Sequence, residues 1–372
     1  MMERILHITG GMQRAGAETL LMNLYRNLDR TKFQFDFLYF TDKTCDYDQE
    51  IKRLGGNIYR VTNKSNNKLF RIIYRYVDYY RLLKALPEHQ IIHSHINLNG
   101  AFFILIAYLL KKRLRISHSH ISMGKRAFIP NMYRYLCRNV IKYTANVYLA
   151  CGEAAGAYLY PKISKKDVVV FPNSIDISAF QSFFSHGHFL RNELKLDKNI
   201  KIIVQIGRFT PQKNFEFTID FIEYLVKKDS LLHFVFLGTG PMETELKQAV
   251  NNKNIGSYVT FYGISEEIPK ILHSADLFFM PSRLEGFPVV LVEAQACGTP
   301  CLISTNISSE VDMGVNLISF ASLSDNLEIW KKKFYKSFSR KSNDFDTITR
   351  VMKSKNFDAV DSVLKLQDIY KK

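Results

Sequence analysis

The sequence predicts an α/β protein made of two Rossmann-like domains. Short apolar runs of strand length alternate with segments of helical periodicity, which is typical of parallel sheets covered by helices on both faces. The 372 residues are too many for one ordinary domain and enough for two, each with its own core. The pattern also restarts after a polar segment. We therefore expect an N-terminal domain over 1–178, a second domain over 179–350, and a closing C-terminal helix within 351–372.

The first domain is predicted to begin with a strand at Arg4 to Ile8, a turn at Gly10-Gly11, and a helix from Ala17 to Leu28. Its later strands are expected at Phe33 to Phe40, Ile91 to His95, Arg115 to Ser119, Val147 to Cys151 and Val168 to Phe171. The apolar run Ala101 to Leu110 is about half the roughly 20 residues that a membrane-spanning helix needs. We interpret it as a buried helix.

The second domain repeats the same alternation. Its strands are expected at Lys201 to Gly207, His233 to Leu237, Val259 to Tyr262, Leu277 to Met280 and Pro300 to Ser304. The apolar periodicity of Phe357 to Tyr370 predicts the closing helix.

The net charge of +16 is distributed unevenly. Residues 1–178 contain 27 Lys and Arg against 13 Asp and Glu, whereas 179–372 contain 24 against 22. An anionic partner of the first domain is therefore expected, and nucleic acid, a membrane surface and a phosphorylated acceptor all satisfy this charge. The five cysteines include no Cys-x-x-Cys pair, which argues against a disulfide framework or a zinc ribbon. No targeting segment is recognised at the N-terminus, so a cytoplasmic location is expected.

The segment from Pro281 to Pro300 is the most informative part of the sequence. It follows a strand and predicts a helix that starts near Pro288 and stops at Gly298. The first backbone N–H groups of such a helix, near Phe287, Val289 and Val290, form an anion site suited to a diphosphate.

Two glutamates, Glu285 and Glu293, flank this predicted anion site. Carboxylates accept strong hydrogen bonds from sugar and ribose hydroxyl groups. Because they would repel a diphosphate, the site also needs cations. Arg208 and Lys213 follow the strand at Lys201 to Gly207, and the carboxyl ends of parallel strands are where open α/β sheets bind ligands.

The second domain resembles family 4 of the retaining glycosyltransferases, especially members from bacterial exopolysaccharide and capsule synthesis. The matching motifs are Gly207-Arg208, Lys213-Asn214, Gly238-Thr239-Gly240-Pro241, Phe261-Tyr262-Gly263, Ala275-Asp276, Pro281-Ser282 and Glu285-x7-Glu293. The resemblance implies the GT-B fold, in which two Rossmann-like domains have parallel sheets that face each other across a cleft. It also implies that the nucleotide-sugar donor is bound mainly by the second domain.

The same resemblance implies a role for each matching residue. Glu285 is expected to contact the transferred sugar and Glu293 the donor ribose, while Arg208 and Lys213 neutralise the departing diphosphate. The donor site would further include Gly207, Gly263, Phe287, Val289 and Val290. The family commonly has Glu-Gly-Phe-Gly-Leu in this loop, whereas Pro288 here removes one amide donor.

In the first domain, the turn at Gly11 resembles the glycine loop of the family, and we expect it at the donor, with Gly16 on the acceptor side. The family also places one catalytic histidine after a strand of this domain. His120 matches it best and His118 second, the latter assigned to the acceptor side, whereas His93 and His95 are expected to be core or turn residues. No Asp or Cys pattern accompanies these histidines, so we expect no metal.

The resemblance implies a retaining, metal-independent transfer from a nucleotide sugar, presumed to be a UDP-sugar, to a lipid-linked or glycan acceptor. No Asp-x-Asp motif is expected, which argues against the metal-dependent glycosyltransferases, and no cofactor is expected. Cations interleaved with aromatic residues in 64–76 and 124–134 suit the inner face of an anionic membrane. Two alternatives remain: a GT-B nucleotide-sugar epimerase, disfavoured by the Glu285-x7-Glu293 block, and a basic nucleic-acid-binding protein, for which no binding motif is present.

Overall fold

A computed structural model of the chain describes residues 2–14, 16–62, 67–120, 131–285 and 287–372. The chain forms two compact units, unit 1 made of Met1–Ser174 with Ala359–Lys372, and unit 2 made of Ile175–Asp358. The first unit thus ends at Ser174, four residues before the boundary suggested by the sequence, and the last helix of the chain belongs to unit 1.

Unit 1 contains a seven-stranded parallel sheet in the order β3-β2-β1-β4-β5-β6-β7. The strands are β1 (Glu3–Ile8), β2 (Phe33–Tyr39), β3 (Ile58–Arg60), β4 (Ile91–Ser94), β5 (Leu114–Ser119), β6 (Val147–Ala150) and β7 (Val168–Val170). All the strands that the sequence predicts are present. The sequence analysis missed β3 because its three residues are half-buried or exposed and carry no apolar run.

Helices cover the sheet of unit 1. They are α1 (Gly16–Arg26), α2 (Asp48–Arg53), α3 (Lys68–Ala85), α4 (Ala101–Leu109), α5 (Asn131–Thr144), α6 (Glu153–Leu159) and, at the end of the chain, α15 (Ala359–Tyr370). The prediction of a buried helix at Ala101 holds for one face only, because Tyr108 and Leu109 are exposed. Within the described ranges, no helix is both long and apolar enough to cross a bilayer.

Unit 2 contains a six-stranded parallel sheet in the order β10-β9-β8-β11-β12-β13. The strands are β8 (Lys201–Ile206), β9 (Leu232–Leu237), β10 (Val259–Gly263), β11 (Leu277–Met280), β12 (Cys301–Ser304) and β13 (Ile318–Ala321). The sequence analysis missed β13, a four-residue edge strand beside β12. The five predicted strands are confirmed.

The helices of unit 2 are α7 (Ile177–Gln181), α8 (Phe189–Glu193), α9 (Phe215–Val226), α10 (Glu243–Asn252), α11 (Ile268–Ser274), α12 (Val289–Ala296), α13 (Leu327–Phe338) and α14 (Phe345–Ser354). Helix α12 starts directly after Pro288, as predicted. Gly298 ends it with φ +68°, and a Cβ atom there would lie 1.9 Å from the carbonyl oxygen of Ser342. Only glycine satisfies both the left-handed backbone and this close approach.

Each unit has an apolar core of its own. In unit 1, the buried side chains of Leu366 and Tyr370 pack with residues of β1 and β2, which explains why α15 belongs there. In unit 2, the buried Trp330 packs with Phe221 of α9 and Phe279 of β11. All five cysteines are buried and unbridged.

Candidate functional site

The carboxyl ends of β8, β9 and β10 are joined by glycine turns. The N–H of Gly207 donates to the carbonyl oxygen of Leu237 at 2.9 Å, and the N–H of Gly238 donates to that of Gly263 at 2.8 Å. Gly238 has φ +133°, and a Cβ atom there would lie 2.1 Å from the carbonyl oxygen of Gly207. The turns can approach this closely only because they lack side chains.

Lys213 and Glu285 form an ion pair beside this edge of the sheet. The Lys213 Nζ and Glu285 Oε1 atoms are 2.8 Å apart, and the two side chains are 19% and 9% exposed. The carboxylate oxygen lacks an aligned hydrogen-bond donor among the described residues, so the attraction is mainly between charges. A Cβ atom at residue 207 would lie 2.9 Å from Cε of Lys213, which means that the lysine stem crosses over Gly207.

A set of hydrogen bonds fixes the loop that carries Lys213 to the loop that carries Glu285. Gln212 Nε2 donates to the carbonyl oxygen of Leu284 at 2.7 Å, and the N–H of Arg283 donates to that of Gln212 at 2.9 Å. The buried Asn214, with φ +58°, donates to the carbonyl oxygen of Pro281 and accepts from Arg283 Nε. The sequence analysis treated Asn214 only as part of a motif. Its place between a predicted cation and the start of a helix was a usable signal.

Arg208 lies on the turn after β8 and is exposed. No ion pair or side-chain hydrogen bond of Arg208 is found within the described parts of the chain. The guanidinium group is therefore available to a ligand, and its planar set of donors matches phosphate oxygens. The structure brings Lys213 and Glu285 into contact, whereas no hydrogen bond or ion pair among the described residues joins Arg208 or Glu293 to this pair.

The amino end of α12 supplies backbone donors. Its first N–H groups, at Val289 and Val290, have no acceptor within the helix turn, and no side chain caps them at Pro288. The ring of Phe287 stacks on Phe357, with 5.7 Å between the ring centroids. The side chain of Phe287 thus packs against the rest of unit 2. Only its backbone N–H is suited to the predicted anion site.

Glu293 is half-buried on α12, in surroundings that disfavour its charge. Burial raises the pKa of its carboxyl group to about 7. No ion pair or side-chain hydrogen bond of Glu293 is present among the residues that the structure describes. Near neutral pH, this carboxyl is therefore partly protonated, which reduces the repulsion that two glutamates would exert on a diphosphate. Gly263, at the end of β10, has φ +79° and open space where a Cβ atom would be.

Five histidines from β1, β4 and β5 and the residues that follow them form two hydrogen-bonded chains in unit 1. In the first, His7 Nδ1 lies 3.0 Å from His95 Nε2, and His95 Nδ1 lies 2.9 Å from His120 Nε2. In the second, His93 lies 3.0 Å from the hydroxyl oxygen of Tyr370 and 3.3 Å from His118. His93 and His95 are buried, as expected, and the sequence analysis missed His7, which lies opposite His93 in the sheet register.

These imidazoles are neutral at physiological pH. Burial lowers the pKa of His7 and of His120 to about 3, and it also lowers the pKa values of His93, His95 and His118. The backbone N–H of His120 donates to Asn97, whereas its Nδ1 atom is buried without a partner among the described residues. Nδ1 is thus the ring nitrogen of His120 that remains without a partner among the described residues, and the low pKa of the ring makes it a poor general base.

Among the residues that the structure describes, these histidines form the groups whose ring nitrogens lie close enough together to hold a metal ion. Two sets, His7 with His93 and His95, and His95 with His118 and His120, each place three ring nitrogens within 4.8 Å of one another. Hydrogen bonds of 2.9 to 3.3 Å already account for these short separations. The expectation that no metal is bound remains a prediction.

Gly11 lies in the turn between β1 and α1, and Gly16 lies at the start of α1. A Cβ atom at Gly11 would lie 3.1 Å from both Cys45 Sγ and Thr41 Cγ2, so close packing gives a reason for this glycine. Gly16 is the first residue of α1, one position before the predicted start.

The expectation that no Asp-x-Asp motif occurs is wrong, because the sequence contains Asp46-Tyr47-Asp48 and Asp344-Phe345-Asp346. Both triplets lie outside the donor motifs, and both have structural partners. Asp48 accepts hydrogen bonds from the N–H of Cys45 and from Arg60, and Asp46 accepts from the N–H of Arg14. Asp344 caps α14 by accepting from the N–H of Thr347. These contacts give both triplets a structural explanation.

Two protein-family models match the chain, one mainly in unit 1 and the other within unit 2. The model described as "Glycosyltransferase Family 4" matches residues 14–179, and the model described as "Glycosyl transferases group 1" matches residues 188–316.

The chain is similar to several curated proteins. It is 32% identical to the putative glycosyltransferase EpsF of Bacillus subtilis, over 99% of this chain and 96% of EpsF. It is 26% identical to UDP-Gal:alpha-D-GlcNAc-diphosphoundecaprenol alpha-1,3-galactosyltransferase of Escherichia coli, over 64% of this chain and 63% of that enzyme. It is 25% identical to the capsular polysaccharide biosynthesis glycosyltransferase CapH of Staphylococcus aureus, over 92% of both chains.

Among solved structures, Anabaena HepE in complex with UDP has a TM-score of 0.79 and 18% sequence identity, and the match covers all of both chains. At this identity, the similarity concerns the fold, which is that of the two-domain GT-B glycosyltransferases.

Proposed function

This chain belongs to glycosyltransferase family 4, and we propose that it transfers the sugar of a UDP-sugar to a lipid-linked or glycan acceptor in capsule, exopolysaccharide or O-antigen synthesis. The observation that carries the proposal is the Lys213–Glu285 ion pair at the carboxyl edge of the unit 2 sheet. The stem of Lys213 lies directly against Gly207 there. The UDP in HepE and the UDP-sugar and diphospholipid in the name of the E. coli relative support the choice of substrates.

The donor is bound by complementary charges. Arg208 and Lys213 contact the diphosphate, together with the first amides of α12. Glu285 accepts hydrogen bonds from hydroxyl groups of the sugar, and Glu293 accepts them from the ribose. Before the donor binds, Lys213 balances the charge of Glu285 at 2.8 Å. The diphosphate then gives Lys213 a second anionic partner, which leaves Glu285 able to accept from the sugar.

Transfer breaks the bond between the anomeric carbon and the diphosphate oxygen and forms a bond from the same carbon to the acceptor oxygen. The electron pair of the broken bond stays on the diphosphate, where Arg208, Lys213 and the helix amides stabilise the growing charge. The acceptor proton passes to the departing phosphate on the same face, so that the anomeric configuration is retained. Glu285 is not a covalent nucleophile in this scheme, and His120 donates or accepts one hydrogen bond at the sugar or diphosphate.

The transfer needs no metal ion. Arg208 and Lys213 supply the positive charge that a divalent cation supplies in other sugar transferases, and α12 adds partial positive charge at its amino end. This assignment predicts that a chelator leaves the rate of transfer unchanged.

Helix α3 of unit 1 provides a surface for an anionic membrane. Its exposed apolar and aromatic side chains alternate with cations, which suits a helix that lies in the lipid headgroup region. The exposed residues include Phe70, Ile72, Ile73, Tyr74, Val77 and Tyr80. We accordingly place the enzyme in the cytoplasm, on the inner face of the cell membrane. The second basic segment of the sequence, 124–134, lies mostly outside the described residues.

The test is a transfer assay with purified protein, a panel of nucleotide sugars and membrane lipid extract. Lys213→Ala and Glu285→Gln should each lower turnover, Lys213→Ala by about 100-fold, as expected when one donor to a developing anion is removed. Lys247→Ala, which changes an exposed lysine of α10, is the matched control. Wild-type turnover in both site variants would contradict the site, and release of an altered nucleotide sugar without acceptor would identify an epimerase instead.

A further inference from the structure

The chain of His7, His95 and His120 is a continuous line of hydrogen bonds near the carboxyl edge of the unit 1 sheet. His95 lies at its centre, with Nε2 at 3.0 Å from His7 Nδ1 and Nδ1 at 2.9 Å from His120 Nε2. Both ring nitrogens of His95 are therefore occupied by other imidazoles. The two outer nitrogens, His7 Nε2 and His120 Nδ1, are buried and have no hydrogen-bond partner among the described residues.

Neutral imidazoles fix the direction of the hydrogen bonds in such a chain. Burial keeps all three rings neutral near pH 7 because it lowers their pKa values, and each neutral ring has one N–H donor and one nitrogen that accepts. If His7 donates from Nδ1, His95 accepts at Nε2 and donates from Nδ1, and His120 accepts at Nε2. If His7 accepts instead, all three protons lie on the opposite nitrogens. Only these two arrangements keep both hydrogen bonds, so the tautomer of His120 is coupled to that of His7.

The surroundings of the two ends decide between these arrangements. The His7 ring is fully buried, and its centroid lies 4.2 Å from that of Phe35 and 5.5 Å from that of Phe37. His120 is half-buried and directly follows β5, at the edge where open α/β sheets bind ligands. An N–H group is seldom buried without an acceptor, because it loses the hydrogen bond that water would make. The arrangement with the unpartnered N–H on His120 is therefore favoured, since a ligand at the sheet edge can accept it there.

Other hydrogen bonds fix the backbone around His120 but leave its ring to His95. The N–H of His120 donates to Oδ1 of Asn97 at 3.1 Å, and Asn97 has a left-handed backbone with φ +51°. The hydroxyl group of Ser119 donates to the carbonyl oxygen of Ala155 at 2.8 Å. Among the described residues, the only hydrogen bond of the His120 ring is the one to His95. The orientation and the tautomer of the ring thus depend on His95.

We propose that His95 is a positioning residue that holds His120 in the tautomer with its proton on Nδ1, and that His7 sets the direction of the chain. In this tautomer, His120 donates a hydrogen bond to an oxygen atom of the bound donor, whereas a bare nitrogen in the same place would repel that oxygen. The identity of the ligand rests on the proposed function. The tautomer rests on the three histidines and their surroundings alone.

The first test identifies the tautomers in the wild-type protein. Long-range nitrogen–proton correlation spectra of protein labelled at its histidines, recorded at about pH 7.5, distinguish a ring nitrogen that carries a proton from one that does not. We expect the proton on Nδ1 in His7, His95 and His120. A proton on Nε2 of any of the three would overturn the proposal. This measurement needs no substitution that could unfold the protein.

The second test changes the central residue of the chain. His95→Leu removes the donor to His120, so a fraction of His120 should carry its proton on Nε2, and kcat for sugar transfer should fall by about threefold to tenfold, as expected for one hydrogen bond. His95→Asn keeps an amide donor at the position of Nδ1 and should restore both the tautomer and kcat. The control is His93→Leu, which removes a buried imidazole of the other chain and should leave the proton of His120 on Nδ1.

The outcomes separate a positioning role from a structural one. If His95→Leu lowers kcat while His120 keeps its proton on Nδ1, or if it changes neither, the proposal is overturned. If the wild type transfers sugar with the proton on Nε2 of His120, the proposed function stands and this inference fails. If the protons lie as expected but no UDP-sugar is bound, the proposed function fails while the assignment of the tautomers stands.

Discussion

At the scale of single residues, Glu293 combines a ligand-binding position with an unusual protonation state. Because burial raises its pKa to about 7 from the ordinary 4.5, the folded protein holds a proton that the unfolded chain releases at lower pH. Ionisation of this carboxyl therefore destabilises the folded state increasingly as the pH rises from 4.5 through 7. The same carboxyl is the proposed acceptor for the ribose hydroxyls.

Glu293→Gln should separate the effect of this carboxyl on the stability of the fold from its effect on UDP binding. The variant should gain stability relative to the wild type as the pH rises from about 5 to about 8, and it should bind UDP more weakly than the wild type mainly at the upper end of this range, where the wild-type carboxyl is ionised. Thermal unfolding and UDP titration across this range measure both. Glu245→Gln, on the exposed side of α10, is the control and should show neither change. A stability difference that does not depend on pH would show that the Glu293 carboxyl titrates normally.

Gly207 fixes the position of Lys213, because the lysine stem lies directly against it. Gly207→Ala would place a Cβ atom 2.9 Å from Cε of Lys213, so the lysine stem must move away. We expect turnover to fall by about tenfold or more, since small displacements of a charge-stabilising group are costly. Gly256→Ala, where a Cβ atom would meet nothing within 4 Å, is the control. Unchanged turnover in Gly207→Ala, with the fold intact, would contradict this role.

At the scale of elements, the ends of β1, β4 and β5 form a cluster that is sensitive to acid. The folded-state pKa values of His7 and His120 are about 3, below the ordinary 6.5. The neutral imidazoles thus favour folding fully above pH 6.5, and this contribution is lost as the pH falls toward 3, because the unfolded chain takes up the protons first.

Unit 1 should therefore unfold at a lower denaturant concentration at about pH 5 than at about pH 7.5. Each buried histidine should lower the free energy of unfolding by up to about 1.4 kcal/mol for each pH unit by which the pH falls in this range. His7→Gln removes one of these groups and should reduce the dependence on pH. His186→Gln, at an exposed position, should leave it unchanged. Denaturation curves at the two pH values provide the measurement, and equal midpoints for the wild type would rule out the neutral cluster.

The sequence predicted elements best where a long apolar run carried the signal. The strands before each glycine turn and the helix after Pro288 are confirmed, because their patterns depend on local burial and backbone chemistry. The short strands β3 and β13 were missed, because three and four residues are too few to show the periodicity by which a strand is predicted. The histidine chains were only partly predicted, since parallel pairing brings His7 beside His93 from distant parts of the sequence.

For the candidate site, the Arg, Lys and Glu positions could be named from motifs, whereas their mutual geometry could not. The ion pair between Lys213 and Glu285 depends on hydrogen bonds made by Gln212 and Asn214 to a loop some 70 residues away. Such contacts follow from the order of strands in the sheet, which the spacing of motifs does not specify.

At the scale of the whole molecule, the excess of positive charge in the first half of the chain predicts membrane association. The protein should float with vesicles that contain an anionic lipid and not with vesicles of a zwitterionic lipid alone, and added salt should release it because screening weakens the attraction. Replacing Ile72 and Ile73 of α3 by Ser should weaken flotation without changing UDP binding. Equal flotation with both kinds of vesicle would contradict an electrostatic contribution.

The central claim is that this chain transfers sugar from a UDP-sugar through Lys213 and Glu285. The most direct measurement is the transfer of radiolabelled sugar from a panel of UDP-sugars to membrane lipid extract, by the wild type and by Lys213→Ala. We predict labelled lipid product for at least one donor, with chelator present, and a loss of about 100-fold in the variant. Equal product formation by the wild type and Lys213→Ala, or no product with any UDP-sugar, would contradict the account.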